Sequence, residues 1–153
     1  MRWGQPRRRR VEEANNGIRA SVVDQASLPA VWEEVSELLA PACERSHGQE
    51  TIQTLRASLM QGKEGLFVIQ DGEDIIGAVT YQTTDYDTGL RLLDINYAGG
   101  VAMGTQMPAV IEMFHRLKTA LMCDRVRITG RKGWVRYMKQ FGFVSTHYSV
   151  EME

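Results

Sequence analysis

The sequence predicts a mixed α/β (α+β) fold in one domain, with a mostly antiparallel central sheet flanked by helices. A short strand pattern is followed by two stretches in which apolar residues recur at helical spacing. A hairpin signal lies in the middle of the chain, and the sequence ends with strand, helix and strand patterns. The 153 residues suffice for one domain with a sizeable core. We therefore expect a single domain over residues 18–153, preceded by a basic N-terminal arm over residues 1–17.

The first third of the chain predicts one strand and a pair of helices. Ile18–Val23 is a short run rich in β-branched residues, which favours a strand. After Ser27, the expected N-cap, apolar residues recur at helical spacing as far as Pro41, which is expected to end the helix. A second amphipathic helix is expected over Ile52–Met60, stopping at Gly62.

The middle of the chain predicts three consecutive antiparallel strands. Residues 66–70 and 75–82 are apolar, β-rich runs, and the turn between them contains Gly72 after an aspartate. An Asp-Gly pair readily adopts the positive φ that a tight hairpin requires. Residues 90–97 then give the third strand of this meander.

A glycine-rich loop and a long helix follow the meander. The loop covers residues 98–104, and Thr105 is the expected helix cap. Apolar residues from Met107 to Met122 mark one face of the helix, and Pro108 is compatible with its first turn.

The C-terminal part predicts a strand, a short helix and a last strand. The strand covers residues 126–129, the helix residues 134–140 and the last strand residues 143–152. A glycine-flanked basic turn, residues 130–133, joins the first two.

Composition narrows the functional class. The formal net charge is −1, and no apolar run approaches the length of about 18 residues that a membrane span requires. The N-terminus is charged but has no apolar core of a signal peptide, so we expect no secretion by this route and a reducing cytoplasm. Cys43 and Cys123 lie far apart and the three histidines lack ligand spacing, which predicts neither a disulfide framework nor a metal site.

Two groups of basic residues are candidates for binding a partner or an anion. The arm carries Arg7, Arg8, Arg9 and Arg10, and the later turn carries Arg131 and Lys132. Contact with a neighbouring subunit or with nucleic acid is one interpretation. The alternative for the arm is a solvated tail, and for the turn a solvated basic face.

The order of elements, ending in Val126 to Phe143, resembles the GNAT family of N-acetyltransferases. In that family the loop after the fourth strand binds the pyrophosphate of acetyl-CoA, together with the N-terminus of the next helix. The resemblance assigns this role to six residues: Tyr97, Ala98, Gly99, Gly100, Gly104 and Thr105. The loop has no basic residue before Glu112 and departs from the family pattern, so glycines that only form a turn are the alternative.

The catalytic positions also depart from the family. The resemblance places Met138 where the family has a proton-donating tyrosine and Arg131 where it has an asparagine. A thioether cannot donate a proton. Tyr137 is adjacent, but one helical residue turns a side chain by about 100°, so a packing role is the alternative for it.

Asp94 is the candidate for a general base on the central strands. Strand alternation puts Asp94 on one face with Leu92 and Asn96. The same alternation puts three residues on the opposite face: Leu93, Ile95 and Tyr97. A carboxylate that is hydrogen-bonded or solvent-facing, without a catalytic role, is the alternative for Asp94.

The turn Gly130-Arg131-Lys132-Gly133-Trp134 and the loop Asn96 to Gly100 resemble GNAT-like proteins from the structural gene regions of tailed phages. This closer resemblance implies a virion component whose catalytic motifs have degenerated, in the virion or the host cytoplasm. Its partners would be other virion subunits, contacted through the arm in an oligomer or assembly. No cofactor is then expected; acetyl-CoA is expected only under the alternative, an active N-acetyltransferase.

Overall fold

The computed structural model describes residues 17–101, 104–130, 132–146 and 150–152. In this part of the chain one sheet contains five strands in sequence order: β1 (Ile18–Val23), β2 (Gly65–Asp71), β3 (Asp74–Asp85), β4 (Arg91–Gly99) and β5 (Arg125–Ile128). The first three pairings are antiparallel, and β4 and β5 are parallel. The predicted fold class is therefore confirmed.

Helices cover both faces of the sheet. The helices are α1 (Leu28–Glu44), α2 (Ile52–Met60), α3 (Met107–Ala120) and α4 (Lys132–Met138), and a 3₁₀ turn (Lys139–Phe141) follows the last of them. One core lies between the sheet and α1 and α2, and it includes Leu39, Leu55 and Val68. The other lies under α3 and includes Phe67 and Leu93. Alternate residues of β2 thus enter opposite cores.

The hairpin between β2 and β3 forms as the sequence predicts. Asp71 pairs with Asp74, and Gly72 has a φ of 61°. That left-handed conformation costs glycine little because it has no Cβ. A local signal therefore suffices to set this connection.

Two predicted helix boundaries are wrong. Pro41 does not end α1 but lies inside it, because proline removes only one backbone donor and its neighbours Leu39 and Cys43 remain packed in the core. Thr105 does not cap α3; Gln106 occupies the N-cap position, one residue later. Tertiary packing, rather than the local signal, sets where these two helices end and begin.

The last predicted strand does not form in the described residues. Residues 143–146 and 150–152 lie outside any strand, while residues 147–149 are outside the described part of the chain. Val144 and Val150 are 78% and 95% exposed, so their apolar character is not matched by a sheet contact. An alternating pattern alone does not make a strand, because the strand also requires hydrogen-bonded pairing with a neighbour.

Candidate functional site

The site begins where β4 and β5 part. Their parallel pairing runs from Leu92 and Arg125 to Ile95 and Ile128. β4 then continues to Gly99, where its described pairing is with β3 alone. The backbone groups of β4 that face β5 are therefore not taken up by β5 beyond Ile95, which creates an opening between two parallel strands.

A β-bulge lies in β4 at this opening. Tyr81 of β3 pairs with Ile95, and Val79 pairs with Ala98. Three steps along β4 thus match two steps along β3, so β4 carries one extra residue. Bulges bend a strand and redirect side chains, and they are common beside active sites.

The bulge overturns the alternation predicted for Tyr97. Leu93 and Ile95 enter the core under α3, as expected, but Tyr97 packs against the core of α1 and α2 on the other face. The Tyr97 N–H donates to the hydroxyl oxygen of Thr80 at 3.1 Å. This side-chain acceptor replaces the regular ladder bond that the extra residue displaces.

Glu64 lies directly before β2 and meets β4 at the bulge. The amide Nδ2 of Asn96 donates to Glu64 Oε1 at 2.6 Å. Glu64 Oε2 is shielded from solvent, and no well-formed hydrogen bond reaches it from the described residues. Asn96 therefore fixes one carboxylate oxygen, and the other has no well-formed hydrogen bond from the described residues.

The pKa of Glu64 is raised to about 7, chiefly by burial. The neighbouring charges of Glu50 and Asp94 raise it further, while hydrogen bonding by Asn96 and Thr80 acts in the opposite direction. Burial disfavours the charged form of a carboxylic acid. Glu64 is consequently close to half-ionised at neutral pH, which suits a group that takes up and releases protons.

The groups near Glu64 on the α1 side remain protonated. Burial, followed by the charges of Glu50 and Glu64, raises the pKa of Tyr97 to about 12. Burial also raises the pKa of the Cys43 thiol, and Glu50 adds to that effect. These shifts show that the surroundings disfavour additional negative charge.

Asp94, the predicted base, is held in an ion pair. Its Oδ1 accepts from Arg127 Nε at 2.5 Å and its Oδ2 from Arg127 Nη2 at 2.9 Å. The hydroxyl of Thr84 also donates to Oδ2. Asp94 is only 7% exposed, and its hydrogen bond raises the pKa of Arg127. Both carboxylate oxygens are thus occupied in this arrangement.

Two of the loop glycines are required by packing. A Cβ on Gly99 would lie 1.7 Å from the Leu38 carbonyl oxygen, and one on Gly100 would lie 2.4 Å from the Ile76 carbonyl oxygen. Gly104 differs, because it has a φ of 97° and open space around its Cβ position. Of these three glycines, only Gly104 is left open to a ligand.

Tyr137 reaches this loop from α4. Its hydroxyl oxygen accepts the N–H of Gly104 at 3.2 Å, and its ring packs edge-on against Trp134 and Phe141. Met138, in contrast, is 2% exposed and belongs to the core under α3. Tyr137 is only partly buried and packs against the edge of that core, while its hydroxyl reaches the loop.

The basic side chains predicted to bind a partner or an anion cannot be placed in the described part of the chain. Arg7 to Arg10, Arg131 and the side chain of Lys132 lie outside the described residues. Among the residues that are described, no cluster of three or more histidine, cysteine or acidic side chains could hold a metal ion. No helix in the same residues is long and apolar enough to cross a membrane.

Sequence reasoning missed Glu64. It lies between the second helix and the second strand without a motif, and Asn96 is 32 residues away in the chain. The only available signal was an acidic residue immediately before a strongly apolar strand. The contact itself depends on the bulge in β4.

No family model and no curated protein matches the chain. Several solved structures have a similar fold. A probable acetyltransferase superposes with a TM-score of 0.63 at 11% identity, covering 88% of this chain and 99% of its own. A ribosomal-protein-alanine N-acetyltransferase from Brucella melitensis biovar Abortus 2308 gives 0.61 at 9% identity, covering 89% and 98%.

A predicted acetyltransferase with acetyl-CoA from Clostridium acetobutylicum gives a TM-score of 0.58 at 13% identity, covering 89% of this chain and 96% of its own. At such low identity these similarities establish the fold alone. The chain has a GNAT-like acetyltransferase fold.

Proposed function

We propose that the protein is an acetyl-CoA-dependent N-acyltransferase in which Glu64 is the general base. The main observation in support is the shielded carboxyl of Glu64, which has a pKa of about 7 and lies where β4 bulges and parts from β5. A general base works best when its pKa lies near the working pH. Its Oε2, which lacks a partner among the described residues, is the atom that accepts the proton.

The described residues offer features that fit acetyl-CoA. In the described residues the pairing of β4 with β5 ends at Ile95, and the start of α3 supplies helix N–H groups that favour anions. Ala98, Gly104 and Thr105 would hold the group, although the N–H of Gly104 is now bound to Tyr137. When bound, acetyl-CoA would supply the acyl group as a thioester.

The surrounding side chains support an amine as the acceptor. Asn96 fixes the Glu64 carboxyl, so Oε2 keeps a defined position. The carboxylate of Glu50 adds negative charge near Glu64, which favours a cationic amine before it loses its proton. Tyr97 stays a neutral phenol and does not compete for that proton.

Glu64→Gln tests the assignment. We expect acetyl transfer to fall by about 100-fold or more, the usual size of a general-base contribution, while the Kd for acetyl-CoA stays unchanged. Thiol release is measured with an alanine-terminated peptide, because the name of the similar structure from Brucella melitensis points to an acceptor of this kind. Wild-type rates should fall as the pH drops below about 7, where Glu64 becomes protonated.

Glu73→Gln is the matched control, because Glu73 lies on the exposed β2–β3 turn. It should leave both transfer and binding unchanged. Equal rates for wild type and Glu64→Gln would overturn the role of Glu64. Absence of both acetyl-CoA binding and transfer in the wild type would overturn the enzyme proposal itself.

A second candidate is a non-catalytic subunit of a tailed-phage particle that retains this fold. It is favoured by Met138, a buried thioether at the position where the GNAT resemblance expects a proton donor. Under this proposal the arginine arm contacts other virion subunits. Calorimetry without any heat from acetyl-CoA, together with assembly that requires Arg7 to Arg10, would support it over the enzyme.

A further inference from the structure

An ion pair between side chains links β4 to β5 just before the two strands part. Asp94 and Arg127 are register partners on the rung preceding the last one, Ile95 with Ile128. The guanidinium makes two nearly parallel hydrogen bonds to the carboxylate, at 2.5 and 2.9 Å. Such a fork fixes both distance and orientation. β5 is only four residues long, so one rung is a large part of its attachment.

Other contacts hold the pair in place. The Thr84 hydroxyl of β3 donates to Asp94, and Arg127 Nη1 donates to the Tyr86 hydroxyl at 2.8 Å. The same guanidinium lies 6.0 Å from the centre of the Tyr86 ring. The pair therefore ties β5 to β4 and to the end of β3.

The pair also lies close to Glu64 along β4. Asp94 is two residues before Asn96, whose side-chain amide donates to Glu64 Oε1 at 2.6 Å. Negative charge reaches Glu64 from Glu50, before α2, and from Asp94 on β4. Tyr97 of β4 and Cys43 of α1 are titratable groups of the same cluster, and both are held neutral by burial. Arg127 brings a compensating positive charge into direct contact with Asp94.

We infer that Asp94 and Arg127 form a positioning unit for Glu64: they fix where β4 and β5 part, and Arg127 offsets the field of Asp94 at the Glu64 carboxyl. The inference rests on the proposed role of Glu64 as the base. Neither residue needs to touch a substrate. Each acts through the strand geometry and through charge.

Two substitutions separate this role from a purely mechanical one. Arg127→Met and Asp94→Asn both remove the two-bond ion pair, so both carry a mechanical loss. Their electrostatic effects are opposite. The first leaves an uncompensated carboxylate near Glu64, which favours its protonated form, whereas the second leaves an uncompensated guanidinium, which favours its ionised form.

The ionisation of Glu64 is read directly by NMR titration of its ¹³C-labelled side-chain carboxyl carbon, assigned with Glu64→Gln, in the full chain without substrate. We expect the titration midpoint to rise in Arg127→Met and to fall in Asp94→Asn, each by up to about one unit, because Asp94 is the weakest of the influences on Glu64. The double variant should return close to the wild type. Arg127→Lys keeps the charge and should leave the midpoint nearly unchanged.

Midpoints that do not move, or that move in the same direction in both single variants, would overturn the inference. If Arg127→Met does not fold, Arg127→Gln removes the same charge and keeps a hydrogen-bond donor. The readout is independent of catalysis, so the two proposals fail separately. Full activity in Glu64→Gln would refute the base, whereas unmoved midpoints would refute the positioning unit.

Discussion

Glu64→Gln should make the protein more stable at pH 8 than the wild type. Burial raises the pKa of Glu64 from 4.5 to about 7, so folding disfavours its charged form. The full difference would correspond to about 3.5 kcal/mol at roughly 1.4 kcal/mol per pKa unit. Glu64 is partly exposed, and solvent screening reduces this to about 2 kcal/mol. Glutamine retains the oxygen that accepts from Asn96 and resembles the protonated acid.

The direction of this stability change follows from the protons that Glu64 binds in the folded and unfolded states. Between pH 4.5 and 7 the folded state binds more protons at Glu64 than the unfolded state, so this residue lowers stability as the pH rises. The stability difference between the variant and the wild type should therefore be small below pH 4.5 and reach its maximum above pH 7.

Urea unfolding followed by tryptophan fluorescence at pH 5 and pH 8 measures this difference. The exposed control Glu73→Gln should give no comparable gain at pH 8. A variant that is equally stable or less stable than the wild type at pH 8 would refute the reasoning. So would a gain of the same size at both pH values.

Two further predictions concern the loop before α3. Gly99→Ala should lower the free energy of unfolding by about 3 kcal/mol or more, since its Cβ would lie 1.7 Å from the Leu38 carbonyl oxygen and overpacking is costly. Gly133→Ala in α4 meets open space and should be neutral or stabilising by up to about 1 kcal/mol, so equal thermal melts for the two would contradict this account. Tyr137→Phe frees the N–H of Gly104 and should tighten acetyl-CoA binding about 2- to 5-fold, the scale of one modest hydrogen bond. Calorimetry checks this, and weaker binding would instead show that the hydroxyl assists the ligand.

Local patterns predict the five strands that form and the helices beside them, although the strand expected over residues 143–152 does not form in the described residues. The hairpin could be predicted because two adjacent residues, Asp71 and Gly72, favour the positive φ that its turn requires. The helices follow from apolar periodicity, which reports the buried face directly. The exact ends of α1 and α3 do not follow, since Pro41 and Thr105 are local signals that packing overrides.

The site depends on contacts that no local pattern encodes. One extra residue in β4 turns Tyr97 to the other face, and the same bulge is where Asn96 meets Glu64. Strand alternation identifies Asp94 as a polar residue of the central strand, but its partner Arg127 lies 33 residues away. Ion pairing and burial, which decide how an acid behaves, are properties of the folded chain.

The absence of a proton donor at Met138 is weaker evidence against acetyltransferase activity than the sequence alone suggests. Acyl transfer from a thioester to an amine involves two proton movements of unequal difficulty. An alkylammonium acceptor has an ordinary pKa near 10.4, so it requires a base at neutral pH, whereas a thiol has one near 8.5 and leaves as a thiolate with little help. A donor at position 138 would assist the easier step, whereas under the proposed function Glu64 assists the harder one. Under this account the rate depends on Glu64 far more than on any tyrosine of α4.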